Sequence, residues 1–333
     1  MKTPFSVFFT LILSSQILAV PGLERTWNKI HPKTEITCTS CHNSTPFSPA
    51  SNANVTEEGR QKYREILFYR NSNEIAPSKI QPLAQVDFAV LGDSRSDLQI
   101  NREVLRQIIL DEPKIVLHTG DMVANGDIES QWTEVFPLYQ PFFEKKNLYH
   151  VCGNHEAGHC TRNIVRKALG NDRSFYSVDF QNFTFLALDS NQITAEQIQW
   201  LSHLPVGRKY IPFLHHPAYP ILSGHSGHEP VVKNFIPQFK RLGVKLVFTG
   251  HNHGYDRNEK DGIVYITAGG GGAPLYPCGS FSGAKQACVS NYHYVRCKTE
   301  KESIQCQTKL MDGSLVDEVT IDWGKQELTS QKG

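Results

Sequence analysis

Five short apolar runs in this chain of 333 residues each end in Asp, Asn or His, four of them beside glycine. Residues 86–91 lead into Gly92-Asp93, and 114–119 into Gly120-Asp121. Residues 147–152 lead into Gly153-Asn154-His155-Glu156. Residues 209–214 lead into His215-His216-Pro217, and 244–249 into Gly250-His251-Asn252-His253. These side chains offer oxygen and imidazole nitrogen without thiolate, a donor set that suits Zn, Fe or Mn. A single Gly-Asp is an ordinary turn. Five such clusters in succession, each after an apolar run, instead describe strand ends that can converge on one metal-holding point.

The elements that must position them follow from periodicity. The runs are short enough for strands, and helical patterns separate them at 98–111, 128–145, 194–204 and 230–242. Strands alternating with helices imply α/β layers. Residues 175–180 and 183–188 read as a hairpin pair, and 263–322 as further strands with a turn at Asp312-Gly313. His118 and His150 sit in or at the ends of apolar runs and read as packed core histidines. His225 and His228 follow the His215 segment in a Gly/Ser-rich stretch and read equally as substrate contacts or as surface loop.

Taken together, these motifs resemble the calcineurin-type metallophosphoesterases, and within them the purple-acid-phosphatase-like members. The resemblance spans about residues 85–322 and extends to His253-Gly254-Tyr255-Asp256-Arg257 and to the Gly-rich stretch after Tyr265. It implies a sandwich of two mixed β-sheets flanked by helices. It also implies two divalent or trivalent metal ions, with Fe, Zn or Mn as candidates. Asp121 would bridge both, Asp93 and His253 would complete the first site, and Asn154, His215 and His251 the second. His215 is preferred to His216 because the family's ligand stands two residues before the proline. His155 would serve as acid for the leaving group or as a donor to the phosphate. The implied chemistry is attack on a small phosphorylated substrate by a metal-bound hydroxide. Two positions depart from the pattern. Arg95 stands where many members carry His, and Ala124 where purple acid phosphatases carry Tyr. The first site therefore lacks one expected ligand. Arg95 is expected to fork onto a phosphate oxygen, with a solvated ion pair to Asp97 or Asp127 as the competing reading.

The rest of the chain bounds where this chemistry takes place. The formal net charge of +1 argues against nucleic-acid binding by bulk charge. Lys2, an apolar stretch over 5–20 and Pro21-Gly22 read as a secretory signal, so the expectation is an exported, periplasmic or secreted protein with no spanning segment after cleavage. The division expected is 1–20 signal, 21–84 appendage and 85–325 metallophosphoesterase domain. Eight cysteines fit an oxidising compartment, and the sequence-near pairs 152–160, 278–288 and 297–306 are expected as disulfides. Cys38-Thr39-Ser40-Cys41-His42 is the haem c attachment pattern, in which both thiols bind the porphyrin and the His ligates iron. His31 is then the expected distal ligand. A local disulfide or half of a zinc site compete with that reading. With haem, the chain would have a redox partner, and the rival function is a redox or sensor protein whose phosphoesterase-like domain binds phosphate or metal without turnover.

Overall fold

A computed structural model describes residues 80–157, 174–280 and 286–324. Backbone contacts group the chain as Met1–Asn73 and Glu74–Gly333, and every described residue lies in the second unit. The segment 1–20 and the residues His31, Cys38, Cys41 and His42 lie outside the described residues.

Thirteen strands among the described residues form two mixed sheets, in accord with the expected sandwich. The first sheet contains β1 (Phe88–Leu91), β2 (Ile115–His118) and β3 (Leu148–His150), all parallel. It continues with antiparallel β11 (His293–Thr299), β12 (Ser303–Leu310) and β13 (Leu315–Asp322), in the order β13-β12-β11-β1-β2-β3. The second sheet is built from β4 (Tyr176–Phe180), β5 (Phe183–Ala187), β6 (Lys209–Phe213), β7 (Leu246–Thr249), β8 (Tyr255–Lys260), β9 (Ile263–Ala268) and β10 (Ala287–Val289). Its order is β10-β8-β9-β7-β6-β5-β4, with β5, β6, β7 and β9 parallel.

Strand alternation decides what each sheet buries. Phe183, Phe185 and Ala187 of β5 face the first sheet, and the Phe88 ring lies 5.0 Å from Phe185 and 6.0 Å from Phe248. Leu186 and Leu188 face the opposite side, against Leu201 of α3 (Ala195–His203), Val231 of α4 (Glu229–Asn234) and Phe239 of α5 (Ile236–Leu242). Two further helices, α1 (Leu98–Asp111) and α2 (Glu129–Lys145), follow β1 and β2. Asp97 caps α1 by accepting from the Gln99 and Ile100 amides, and Thr194 caps α3 through the Gln197 amide. The pattern over 230–242 predicts one helix, whereas the structure has two. Pro237, in the first turn of α5, has no N–H to continue the ladder from α4.

Cys297 and Cys306 face each other across β11 and β12 and are bonded, as are Cys278 and Cys288. Both pairs match the sequence expectation. Cys152 is also in disulfide form, and Cys160 lies outside the described residues. Among the described residues no helix is long and apolar enough to cross a membrane.

Candidate active site

The carboxyl ends of β1, β2, β3, β6 and β7 bring Asp93, Asp121, Asn154, His215 and His251 to one place, with His253, Arg95 and His155 beside them. The chain turns sharply there. Asp93, Asp121 and His251 hold φ values of 55°, 59° and 68°, in the left-handed region that Asp and His enter more readily than most residues. Two strand-end loops also approach closely. A Cβ on Gly153 would lie 2.0 Å from Asp121 Oδ1, so only glycine lets the Asn154 loop meet that carboxylate.

One group of donors forms what is here termed the second pocket. His215 Nε2 and His251 Nδ1 each lie 2.9 Å from Asn154 Oδ1 and 3.2 Å from each other. His215 Nε2 also stands 3.6 Å from Asp121 Oδ1. His215 Nδ1 lies 2.9 Å from the Thr119 carbonyl, which can only accept, so the proton belongs on Nδ1 and the Nε2 lone pair faces the pocket. Burial first, and the neighbouring imidazoles after it, push the pKa of His251 down, and burial lowers that of His215 despite the nearby Asp121 carboxylate. Both rings are thus held in the neutral form that ligates metal. The amide oxygen and two imidazole nitrogens share at most one proton among them. A cation at their common focus satisfies all three, so the residues present fit a metal ion.

The first pocket is formed by Asp93, Asp121 and His253. His253 Nδ1 lies 2.6 Å from the Pro274 carbonyl, which turns Nε2 inward, 3.7 Å from Asp93 Oδ1. Asp93 is fully buried. Its Oδ2 accepts from the His251 amide, and its Oδ1 has no hydrogen-bond donor. Burial and the adjacent Asp121 push the Asp93 carboxyl up, and burial holds the His253 imidazole down at about 4. Arg95 departs from the expected ion pair to Asp97 or Asp127. Its guanidinium turns inward, with Nε donating to Asp121 Oδ2 at 3.2 Å and Nη2 lying 3.3 Å from His253 Nε2. Asp97 meanwhile serves as the cap of α1.

His155 stands at the open side. Its Nδ1 is 2.7 Å from the Ala124 carbonyl, its amide donates to Asp121 Oδ1 at 3.0 Å, and Nε2 faces the Asp121 carboxylate at 3.8 Å. Behind the loops lies Glu156, a residue the motif contains but to which sequence reasoning gave no task. Its carboxylate accepts from the backbone amides of Asp121 (3.1 Å), Met122 (2.6 Å) and Gly153 (2.9 Å), joining the β2 and β3 loops. His150 Nε2 lies 3.2 Å from the same carboxylate, while His118 pairs with Ser94 Oγ at 2.9 Å. Both histidines are buried.

His216 points beside the second pocket. Its Nδ1 meets Ser190 Oγ at 2.9 Å, and its ring stacks on His228 at 4.3 Å. The His225 ring stacks on His251 at 4.1 Å, and Tyr276 on His253 at 4.3 Å. The carbonyls of Thr119, Pro274 and Ala124, which orient three imidazoles, carry no sequence signal because every residue has one.

The calcineurin-like phosphoesterase family model matches residues 86–255, just over half of the 333-residue chain. The chain belongs to this family. It is a purple-acid-phosphatase-like metallophosphoesterase. Purple acid phosphatase 5 of Arabidopsis thaliana is 25% identical over 228 residues, covering 60% of this chain and 56% of that protein. A nucleotide pyrophosphatase/phosphodiesterase of Hordeum vulgare is 27% identical over 220 residues, covering 50% and 59%. The chain thus spans less than two thirds of the length of these relatives. Two solved structures share the fold, each with a TM-score of 0.57 at 16% identity. Purple acid phosphatase PPD1 of yellow lupin (Lupinus luteus) covers 72% of this metallophosphoesterase, which spans 54% of that chain. GAP50, the anchor in the inner membrane complex of Plasmodium, covers 73%, and the chain spans 90% of it.

Proposed function

We propose that this chain is an exported metal-dependent hydrolase of phosphomonoesters or small phosphodiesters. The observation that carries the reading is the second pocket, where Asn154 Oδ1, His215 Nε2 and His251 Nδ1 meet within 3.2 Å beside Asp121. Asp121, Asn154, His215 and His251 would hold an ion there. Asp93, Asp121 and His253 are the donors of the first pocket. A bound ion supplies positive charge against the phosphoryl oxygens and activates the attacking water.

The chain's own residues supply the rest. His155 is oriented by the Ala124 carbonyl through Nδ1, which leaves Nε2 to carry a proton toward the departing oxygen. Glu156 holds the loops that bear Asp121 and Asn154 in register. Arg95 keeps a fixed positive charge beside Asp121. Export is supported by the disulfides Cys278–Cys288 and Cys297–Cys306, which persist in oxidising compartments.

The test is turnover of p-nitrophenyl phosphate and bis-p-nitrophenyl phosphate by protein loaded with Zn, Mn or Fe. Release of nitrophenolate that stops on chelation and returns on reloading is expected. His155→Ala is expected to lower kcat by roughly 100-fold while bound metal is unchanged, as for a lost general acid. No turnover of either ester in metal-loaded protein would refute the hydrolase reading.

The haem proposal stands on Cys38, Cys41 and His42, with His31 as the distal ligand, and on the sequence alone. Mass spectrometry of protein made with haem-attachment machinery is expected to show the added porphyrin, with the corresponding visible absorption. A mass equal to the bare polypeptide would leave a plain phosphoesterase.

A further inference from the structure

The two pockets differ in one respect that the shared residue Asp121 makes plain. In the second, Asn154 Oδ1, His215 Nε2 and His251 Nδ1 face one another beside Asp121. In the first, a cation of the chain itself is already in place. Arg95 Nε donates to Asp121 Oδ2 at 3.2 Å, Nη2 reaches His253 Nε2 at 3.3 Å, and Nη1 donates to Ser96 Oγ at 3.2 Å. Because His253 Nδ1 is committed to the Pro274 carbonyl, its Nε2 is a lone pair, and the Arg95 N–H donates to it. The Arg95 side chain is 14% exposed and that of Asp121 only 2%, so this is an inward, largely dehydrated pairing rather than a surface contact.

An ion bound to Asp121 Oδ2 and His253 Nε2 would stand about 2.0–2.2 Å from each. Those are the two atoms to which the guanidinium nitrogens are bonded, so ion and guanidinium would compete for the same volume and repel each other as like charges. Arginine cannot relieve that repulsion by losing its proton.

We propose that the Arg95 guanidinium is the resident cation of the first pocket, and that the protein holds a single metal ion, in the second. This deepens the hydrolase reading and rests on it. The substrate phosphate would then lie between one metal ion and one guanidinium, whose in-plane fork of N–H donors suits a phosphoryl group. Asp93 Oδ1 is the one acceptor of the first pocket that Arg95 leaves without a donor. It marks where an ion would bind once the guanidinium is removed.

The experiment counts metal. Purified full-length protein, wild type, Arg95→Ala, Arg95→His and Arg95→Lys, is equilibrated with excess Zn²⁺, freed of loose ion by gel filtration, and measured by elemental analysis and native mass spectrometry. The expected result is one ion per chain for wild type and Arg95→Lys, and two for Arg95→His and Arg95→Ala. Two tightly held ions in wild type would overturn this inference and leave the hydrolase reading standing. Unchanged stoichiometry in a folded Arg95→His would overturn it as well. No ion in wild type would instead remove the hydrolase reading itself. The wild-type count decides between one ion and two even if a variant fails to fold.

Discussion

Asp121→Ala is expected to reduce ester hydrolysis by about 1,000-fold or more, the largest effect of any single truncation at this site. The reason is that its two carboxylate oxygens serve different neighbours. Oδ1 lies 3.6 Å from His215 Nε2 and accepts from the His155 amide, whereas Oδ2 anchors Arg95. Truncation therefore weakens the second pocket, releases the guanidinium and frees the loop that carries His155. Asn154→Ala removes only the amide oxygen shared by His215 and His251, so its loss should be smaller. Elemental analysis should show the bound ion falling together with the rate in Asp121→Ala. A near-wild-type rate in that variant would sink the assignment of this site.

Glu156→Ala is expected to have the largest effect on stability, about 3–5 kcal/mol of unfolding free energy. That range follows from leaving buried backbone amides without an acceptor, at about 1–3 kcal/mol each. The carboxylate is fully buried, and its loss leaves three backbone amides without an acceptor and removes the negative charge beside His150. Chemical denaturation of the metal-free protein measures it without confusion from ion binding. The pH dependence has a definite sign. Burial alone would raise the Glu156 carboxyl, but His150 and the Gly153 amide outweigh it and hold the group down at about 2, below the ordinary 4.5. A depressed carboxyl contributes its full stability above the unfolded value and loses it as pH falls through the folded one. The stability gap between wild type and Glu156→Gln should thus be widest above pH 4.5 and shrink toward pH 2. A gap that is constant, or that widens on acidification, would contradict the role given to this carboxylate.

The residues of the site were legible in the sequence because each stands at a strand end. An apolar run of four to six residues followed by Gly and a polar donor specifies a buried strand and a turn, and both are local properties. The same locality made the helix over 98–111 and the β12–β13 turn readable, and the nearness of Cys297 and Cys306 in sequence suggested the pairing that β11 and β12 then bring face to face. The α4–α5 break was missed although Pro237 announced it, because apolar periodicity continues across it.

What only the tertiary structure decided is how these residues face one another. The Thr119 carbonyl that sets the His215 proton lies 96 residues away in sequence, and the Arg95 partner His253 lies 158 residues away. Neither pairing follows from periodicity, since an alternating pattern records which face of a strand is buried and not what it meets. Sequence likewise placed a cation at position 95 without saying whether it points to solvent, to phosphate or into the first pocket. Folding settles that direction because the carboxylate of Asp121 and the inward lone pair of His253 are the buried acceptors within its reach. The donor types are thus a property of the sequence. The sharing of two pockets between metal and guanidinium belongs to the fold.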